Sequence, residues 1–221
     1  MITHLHFNQG LTRLLLRRGH ELSEDSVQSK KEEAFSLRRK LMLETSKDAL
    51  ITLVFGFFGA AIFALVYVIP MPFVMVSLFK FSLIPALAII ATVGAIRGPM
   101  AGFLTGYIGL VVHDFVFFNT VLTYTLPAVA YGLLGFIVGV ASYDLDRGRS
   151  LGKLSIISTL GLLFAALILA TINLYIDNHS ILVALGFTFL PLITSGLPTV
   201  IFVTPILART WSVLSSKINL P

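Results

Sequence analysis

The sequence predicts an all-α integral membrane protein: a six-helix transmembrane bundle behind a basic, helical N-terminal extension. Three observations carry this. Apolar residues make up 56% of the 221 residues and charged residues only 12%, against about 45–50% and about 25% in soluble domains. Mean hydropathy is +0.91. The charges are also unevenly spread, leaving long uncharged runs that a spanning helix of about 20 apolar residues can use. Such a chain is excluded as a soluble enzyme, a disordered protein or a nucleic-acid module. The absence of cysteine removes disulfides, thiolate nucleophiles and Cys-ligated metals.

Taken in order, residues 1–48 form a separate cytoplasmic segment. Leu11, Leu14, Leu15 and Leu16 alternate with Arg13, Arg17 and Arg18, an amphipathic basic pattern suited to a membrane surface. Ser29–Ser46, rich in Lys, Glu, Arg and Leu, is expected to be helical, with Glu21–Asp25 as a loop between the two. Met1–Arg18 lacks the contiguous apolar core and small-residue cleavage site of a signal peptide. The membrane domain follows over 49–210 and a cytoplasmic tail over 211–221.

The first span is expected near 50–69, ended by Pro70 and Pro72, and the second over 76–96 with Lys80 near one end. The third fits 98–118 with His113 and Asp114 near its end. Spans near 121–141, 154–175 and 181–208 complete the six. The sixth contains Pro191, Pro198 and Pro205, so it should bend, and each proline frees a carbonyl one turn earlier.

Basic residues set the orientation. Nine lie within the first 48 residues; Arg97, Arg147, Arg149, Lys153, Arg209 and Lys217 fall at the same end of the predicted bundle. Lys80 alone lies toward the other. Both termini are therefore expected in the cytoplasm, in the cell membrane.

No phosphate-binding loop, zinc-protease helix or serine-hydrolase elbow is present. His113 and Asp114 are adjacent on a helix, so their side chains are expected about 100° apart and unable to act as a base and its orienter. No catalytic residue, cofactor or metal site is assigned.

Two other signals remain. Gly56, Ala60 and Ala64 recur every four residues, as do Gly98, Gly102 and Gly106, then Gly135 and Gly139. Such stripes let helix backbones approach closely in lipid, within the chain or against a partner. Lys80 and Asp114 are charges flanked by apolar helix, expensive in lipid and functional candidates by default. The alternatives are that Lys80 snorkels outward and that Asp114 pairs with it or is a helix-end residue. Asn119, Tyr124, Asn173, Tyr175 and Asp177, with Asn178 and His179, gather at the same outer level.

These residues resemble a family. Phe79–Asp114, with Pro85, Gly98-Pro99, Gly102, Gly106 and Asp114, is similar to helices two and three of the substrate-binding S components of energy-coupling-factor (ECF) transporters. The resemblance spans about 50–210; the basic extension departs from it. It implies capture of a vitamin or related micronutrient from outside, with Lys80, Asp114, Asn119, Tyr124, Asn173, Tyr175 and Asp177 as substrate-binding candidates. It further implies a lid from Pro70, Met71, Pro72 and Phe73, and a coupling surface at Gly56, Ala60 and Ala64. The implied partners are a membrane coupling subunit and two ATPase subunits, in the lipid bilayer and without nucleic acid. The metal-transporting relatives use an N-terminal histidine, whereas His4 and His6 lie far from span one, so cobalt or nickel is not expected. The alternative from another class is a membrane sensor or scaffold in which residues 1–48 dock a cytoplasmic partner.

The charge distribution makes a direct prediction. Reporter fusions after Asp146 and at the C-terminus should read cytoplasmic, and a fusion after Asp177 external. A cytoplasmic reading at Asp177 removes the six-span arrangement.

Overall fold

The computed structural model describes residues 46–69, 74–76, 79–119 and 125–218. The chain divides into two units, Met1–Lys40 and Leu41–Pro221, and everything described here belongs to the second. The amphipathic and helical segments expected before Ser46 lie outside the described residues.

Helix α1, Ser46–Tyr67, is 22 residues long. It ends near the prolines that cannot continue a helix. A hairpin follows: β1, Val74–Val76, pairs antiparallel with β2, Phe79–Phe81, in the register Met75 opposite Lys80. Helix α2 then runs from Pro85 to Arg97. The expected span over 76–96 is therefore corrected. Pro85 has no N–H to donate and its ring would clash with a preceding helical carbonyl, so it is favoured in the first turn, where it starts the helix. The β-branched and aromatic residues before it pair as strands instead. At 13 residues, α2 is about 20 Å long, well short of the roughly 30 Å of a hydrocarbon core.

Gly98 turns the chain. Its φ of 89° lies in the left-handed region, its N–H closes α2 on the Gly94 carbonyl, and Pro99 opens α3, Pro99–Phe118. Helix α4, Thr125–Val140, is 16 residues, and α5, Gly148–Tyr175, is 28. The last helix, α6, runs from Ile181 to Lys217. Its helical path continues past the expected end at 208 and absorbs most of the residues assigned to a tail. Trp211 there packs edge-on to Phe55 of α1 with ring centroids 5.8 Å apart. Of the six helices among the described residues, α1, α3, α5 and α6 are long and apolar enough to cross a membrane. The arrangement is that of a multi-pass membrane protein.

Two wider, π-type turns interrupt α6, at Ala184–Phe189 and Thr199–Val203. They accompany the prolines. Pro205 cannot donate to the Ile201 carbonyl, and the Ser155 hydroxyl of α5 donates to that oxygen at 2.9 Å. Thr199 donates to the Ser195 carbonyl and accepts from the Ile84 backbone N–H at 2.8 Å, tying α6 to the start of α2.

Glycine governs the packing of α2, α3 and α4. A Cβ on Gly102 would lie 2.4 Å from the Gly135 carbonyl oxygen, and one on Gly135 would lie 2.2 Å from the Gly102 oxygen. Gly106 meets the backbone of Tyr131, and Gly139 that of Pro99, as closely. These stripes serve contacts inside the chain. The stripe of α1 does too: Gly56 packs on Leu104, the Thr105 hydroxyl donates to the Gly56 carbonyl, and Ala60 and Ala64 are buried. Of the two uses expected for Gly56, Ala60 and Ala64, contact within the chain is the one seen here. The outward face of α1 is instead Leu53, Phe57, Phe58 and Leu65.

The bundle has two unlike ends. At one, Arg97 reaches Asp48 at 3.8 Å and Arg209 reaches Asp146 at 2.6 Å, with Arg147 on Asp144 beside them. Ser212 donates to the same Asp146 oxygen and is the main reason its carboxyl is held below the usual range, with Arg209 adding to it. That tether is complete at neutral pH and is lost as pH falls through the lowered value. Tyr143 donates to the Val138 carbonyl, and burial pushes its phenol well up, so it stays protonated. The other end carries Asn119, Asp177 and His179.

Gly102→Ala and Gly135→Ala should each lower stability by about 1–3 kcal/mol, because the obstructing atoms are backbone. Ala60→Leu should do the same in the isolated chain. Gly186→Ala, with open space around its Cβ, should be near neutral. Thermal unfolding in detergent checks all four; equal midpoints for Gly102→Ala and Gly186→Ala would remove the close-contact account.

Candidate ligand-binding cavity

At the less basic end, α1, α3, α4, α5 and α6 surround a half-open cavity of about 980 Å³. Two other hollows, lined by the 142–153 segment and around Trp211, lie at the opposite end. The cavity mixes an apolar wall with a few polar groups, the usual make-up of a small-molecule site.

The α3 wall supplies the buried polar centre. His113 and Asp114 are 6% and 4% exposed, and His113 Nδ1 lies 2.7 Å from Asp114 Oδ1. This corrects the expectation that neighbours on a helix cannot meet. The Cα–Cβ bonds diverge, yet rotation about the side-chain torsions brings the short carboxylate back onto the imidazole. The second carboxylate oxygen, Oδ2, is buried and has no hydrogen-bond partner among the described residues. A buried polar atom left so normally costs about 1–3 kcal/mol.

Aromatic rings flank the pair. Tyr67 meets the His113 ring edge-on at 4.7 Å, and Phe117, one turn beyond His113, lies 5.1 Å from it. Tyr131 of α4 lies 6.4 Å from Tyr67, and the two phenols are hydrogen-bonded. Phe63, fully buried, stacks beneath Tyr67 at 5.2 Å and sets its ring. Gly106 seats Tyr131 here, since only a residue without Cβ lets α3 approach the Tyr131 backbone.

The far wall is the end of α5 and the loop after it. Asn173 Nδ2 donates to the Leu169 carbonyl, and its side-chain oxygen lies 3.2 Å from His179 Nδ1. The His179 backbone N–H also donates to the Asn173 carbonyl, folding the loop back over the helix end. Asp177 and Thr188, the latter in the first π-type turn of α6, complete this side. No three His, Asp or Glu residues among those described converge as a metal site.

Asp114, Asn173 and Asp177 of the expected set therefore share one cavity. Asn119 caps α3 in the left-handed conformation and is exposed away from the lining, and Tyr175 is 75% exposed on α5. The backbone of Lys80 belongs to β2, but its side chain lies outside the described residues, as do Tyr124 and the lid residues Pro70, Met71, Pro72 and Phe73. His113 is expected from the sequence only as a neighbour of Asp114 that points away from it, and Tyr67 and Tyr131 are not expected at the site. Their signal was a polar tip on an apolar span, which a search for charges passes over.

His113→Leu should destabilise the protein by about 3 kcal/mol, because it leaves the buried Asp114 without its partner. His113→Leu/Asp114→Leu should recover most of that loss in thermal unfolding. A double variant no more stable than the single one would mean that the pair does not act as a unit.

No protein-family model, curated protein or solved structure matches this chain.

Proposed function

We propose that this protein captures a small molecule from outside the cell and acts as the substrate-binding subunit of an ECF-type importer for a vitamin or related micronutrient. The observation that supports this reading is the half-open cavity with a buried polar centre, lying at the end of the bundle away from the basic residues. By the positive-inside rule that end faces outward and both termini are cytoplasmic. The chain carries no nucleotide-binding loop, so uptake would draw on a separate coupling subunit and two ATPase subunits. Because Gly56 packs against α3 and Ala60 and Ala64 are buried, the coupling surface in this reading is an outward face of the bundle.

The test is to purify the full chain from cells grown in rich medium, denature it, and identify released small molecules by mass spectrometry. One organic molecule other than lipid or detergent is expected, approaching one per chain. Thr188→Trp, which fills the cavity from α6, should reduce its yield at least tenfold. No released molecule from any preparation, or an undiminished yield from Thr188→Trp, would overturn the reading.

A further inference from the structure

We infer that the cavity takes a molecule bearing a compact cationic nitrogen group, an ammonium, amidinium or protonated amino-heterocycle, and that Asp114 receives it. The inference rests on the cavity being the ligand site, as proposed above, and adds the chemistry of what enters it.

The Asp114 carboxylate is almost fully buried, and its two oxygens are in different situations. Oδ1 is engaged by His113 at 2.7 Å, whereas Oδ2 is buried without a partner among the described residues; Asp114 is one of the residues lining the cavity, so a ligand that reaches Oδ2 does so from there. A carboxylate oxygen is an acceptor only, so what completes it must present an N–H or O–H. His113 acts here as a positioning residue: by holding Oδ1 it fixes the plane in which Oδ2 accepts.

The charge of the lining selects among donors. Asp114 and Asp177 contribute two carboxylates, the two lining histidines are engaged with Asp114 and Asn173, and no lysine or arginine is among the described lining residues. An anionic ligand would meet like charge there. A cation would gain a charge-assisted hydrogen bond. The aromatic wall points the same way. The rings of Tyr67, His113 and Phe117 form a continuous surface beside Asp114, and a cation near such ring faces is attracted by their quadrupoles.

The experiment uses the full chain in detergent and three probes of one shape and different charge: benzamidine, benzamide and benzoate. Benzamidine should bind at least tenfold tighter than benzoate, with benzamide between them, by isothermal titration. Asp114→Asn, which keeps the acceptor for His113 and presents an amide NH₂ in place of Oδ2, should erase the benzamidine preference. Asp177→Asn, on an exposed loop where folding is not at stake, should weaken benzamidine by a smaller factor. Lys80→Met should leave the ranking unchanged. Benzoate binding as well as benzamidine, or a preference that survives Asp114→Asn, would overturn the inference. So would benzamidine binding that appears only in Lys80→Met, since Lys80 would then be the partner of Asp114. If Asp114→Asn does not fold, the wild-type ranking and the Asp177→Asn effect decide. A co-purified acid without a cationic nitrogen would overturn this inference and leave the proposed function standing. No co-purified molecule and no binding of any probe would overturn both.

Discussion

In lipid there is no hydrophobic drive to press helices together, so close association depends on how near two backbones can come. In this protein that limit is met where Gly102 of α3 faces Gly135 of α4, each with its α-carbon against the other's carbonyl. Gly94 of α2 lies against the same Gly135 oxygen, and Gly139 lies against the turn at Pro99. The short helices α2 and α4 are therefore packed directly against α3, and α1 closes over its other side through Gly56, Gly59 and Thr105. Everything at the cavity follows from the position of α3. Two turns beyond Gly106, the same helix carries His113 and Asp114, and the Gly106 contact brings Tyr131 to the level of Tyr67.

Helix α6 solves a different problem. Its prolines remove N–H donors from a helix that passes through an apolar environment, where an unsatisfied carbonyl is costly. The side chains of Ser155, Thr194 and Thr199 bond carbonyls along the helix, and the two wider turns change its course. Turns of this kind recur at functional sites. Here the first one contains Thr188 at the cavity, and the second begins with Thr199, which holds the backbone at Ile84. The hairpin and α2 are thus coupled in structure to the helix that lines the far side of the cavity.

The polarity of the two ends separates their tasks. The basic end is laced by exposed ion pairs, each worth little alone, that hold α1 to α2 and the α4–α5 loop to α6. The opposite end buries His113 and Asp114, where burial makes their interaction count for more, and leaves Asn119, Asp177 and His179 exposed.

Much of the architecture was legible in the sequence, because hydropathy and proline and glycine placement act locally. The limits of α1, the Gly98-Pro99 turn, the start of α3 and the end of α5 all follow from residues in the immediate stretch. The span expected over 76–96 is instead a hairpin and a helix starting at Pro85, because apolar content alone does not separate a strand from a helix and the proline ring favours a helix start. The glycine stripes were legible as close contacts, but not their partners: whether Gly56, Ala60 and Ala64 face α3 or another protein is decided by how α1 rotates about its axis. The site divides the same way. A charge such as Asp114 within an apolar run declares itself, whereas Tyr67, Tyr131 and His113 become significant only when three helices bring their rings together. The sequence by itself determined a membrane bundle, its basic end and the cost of Asp114. Tertiary structure alone decided that His113 holds one oxygen of that carboxylate and that the other is buried without a partner among the described residues, because side-chain torsions and helix rotation are settled by packing between distant segments.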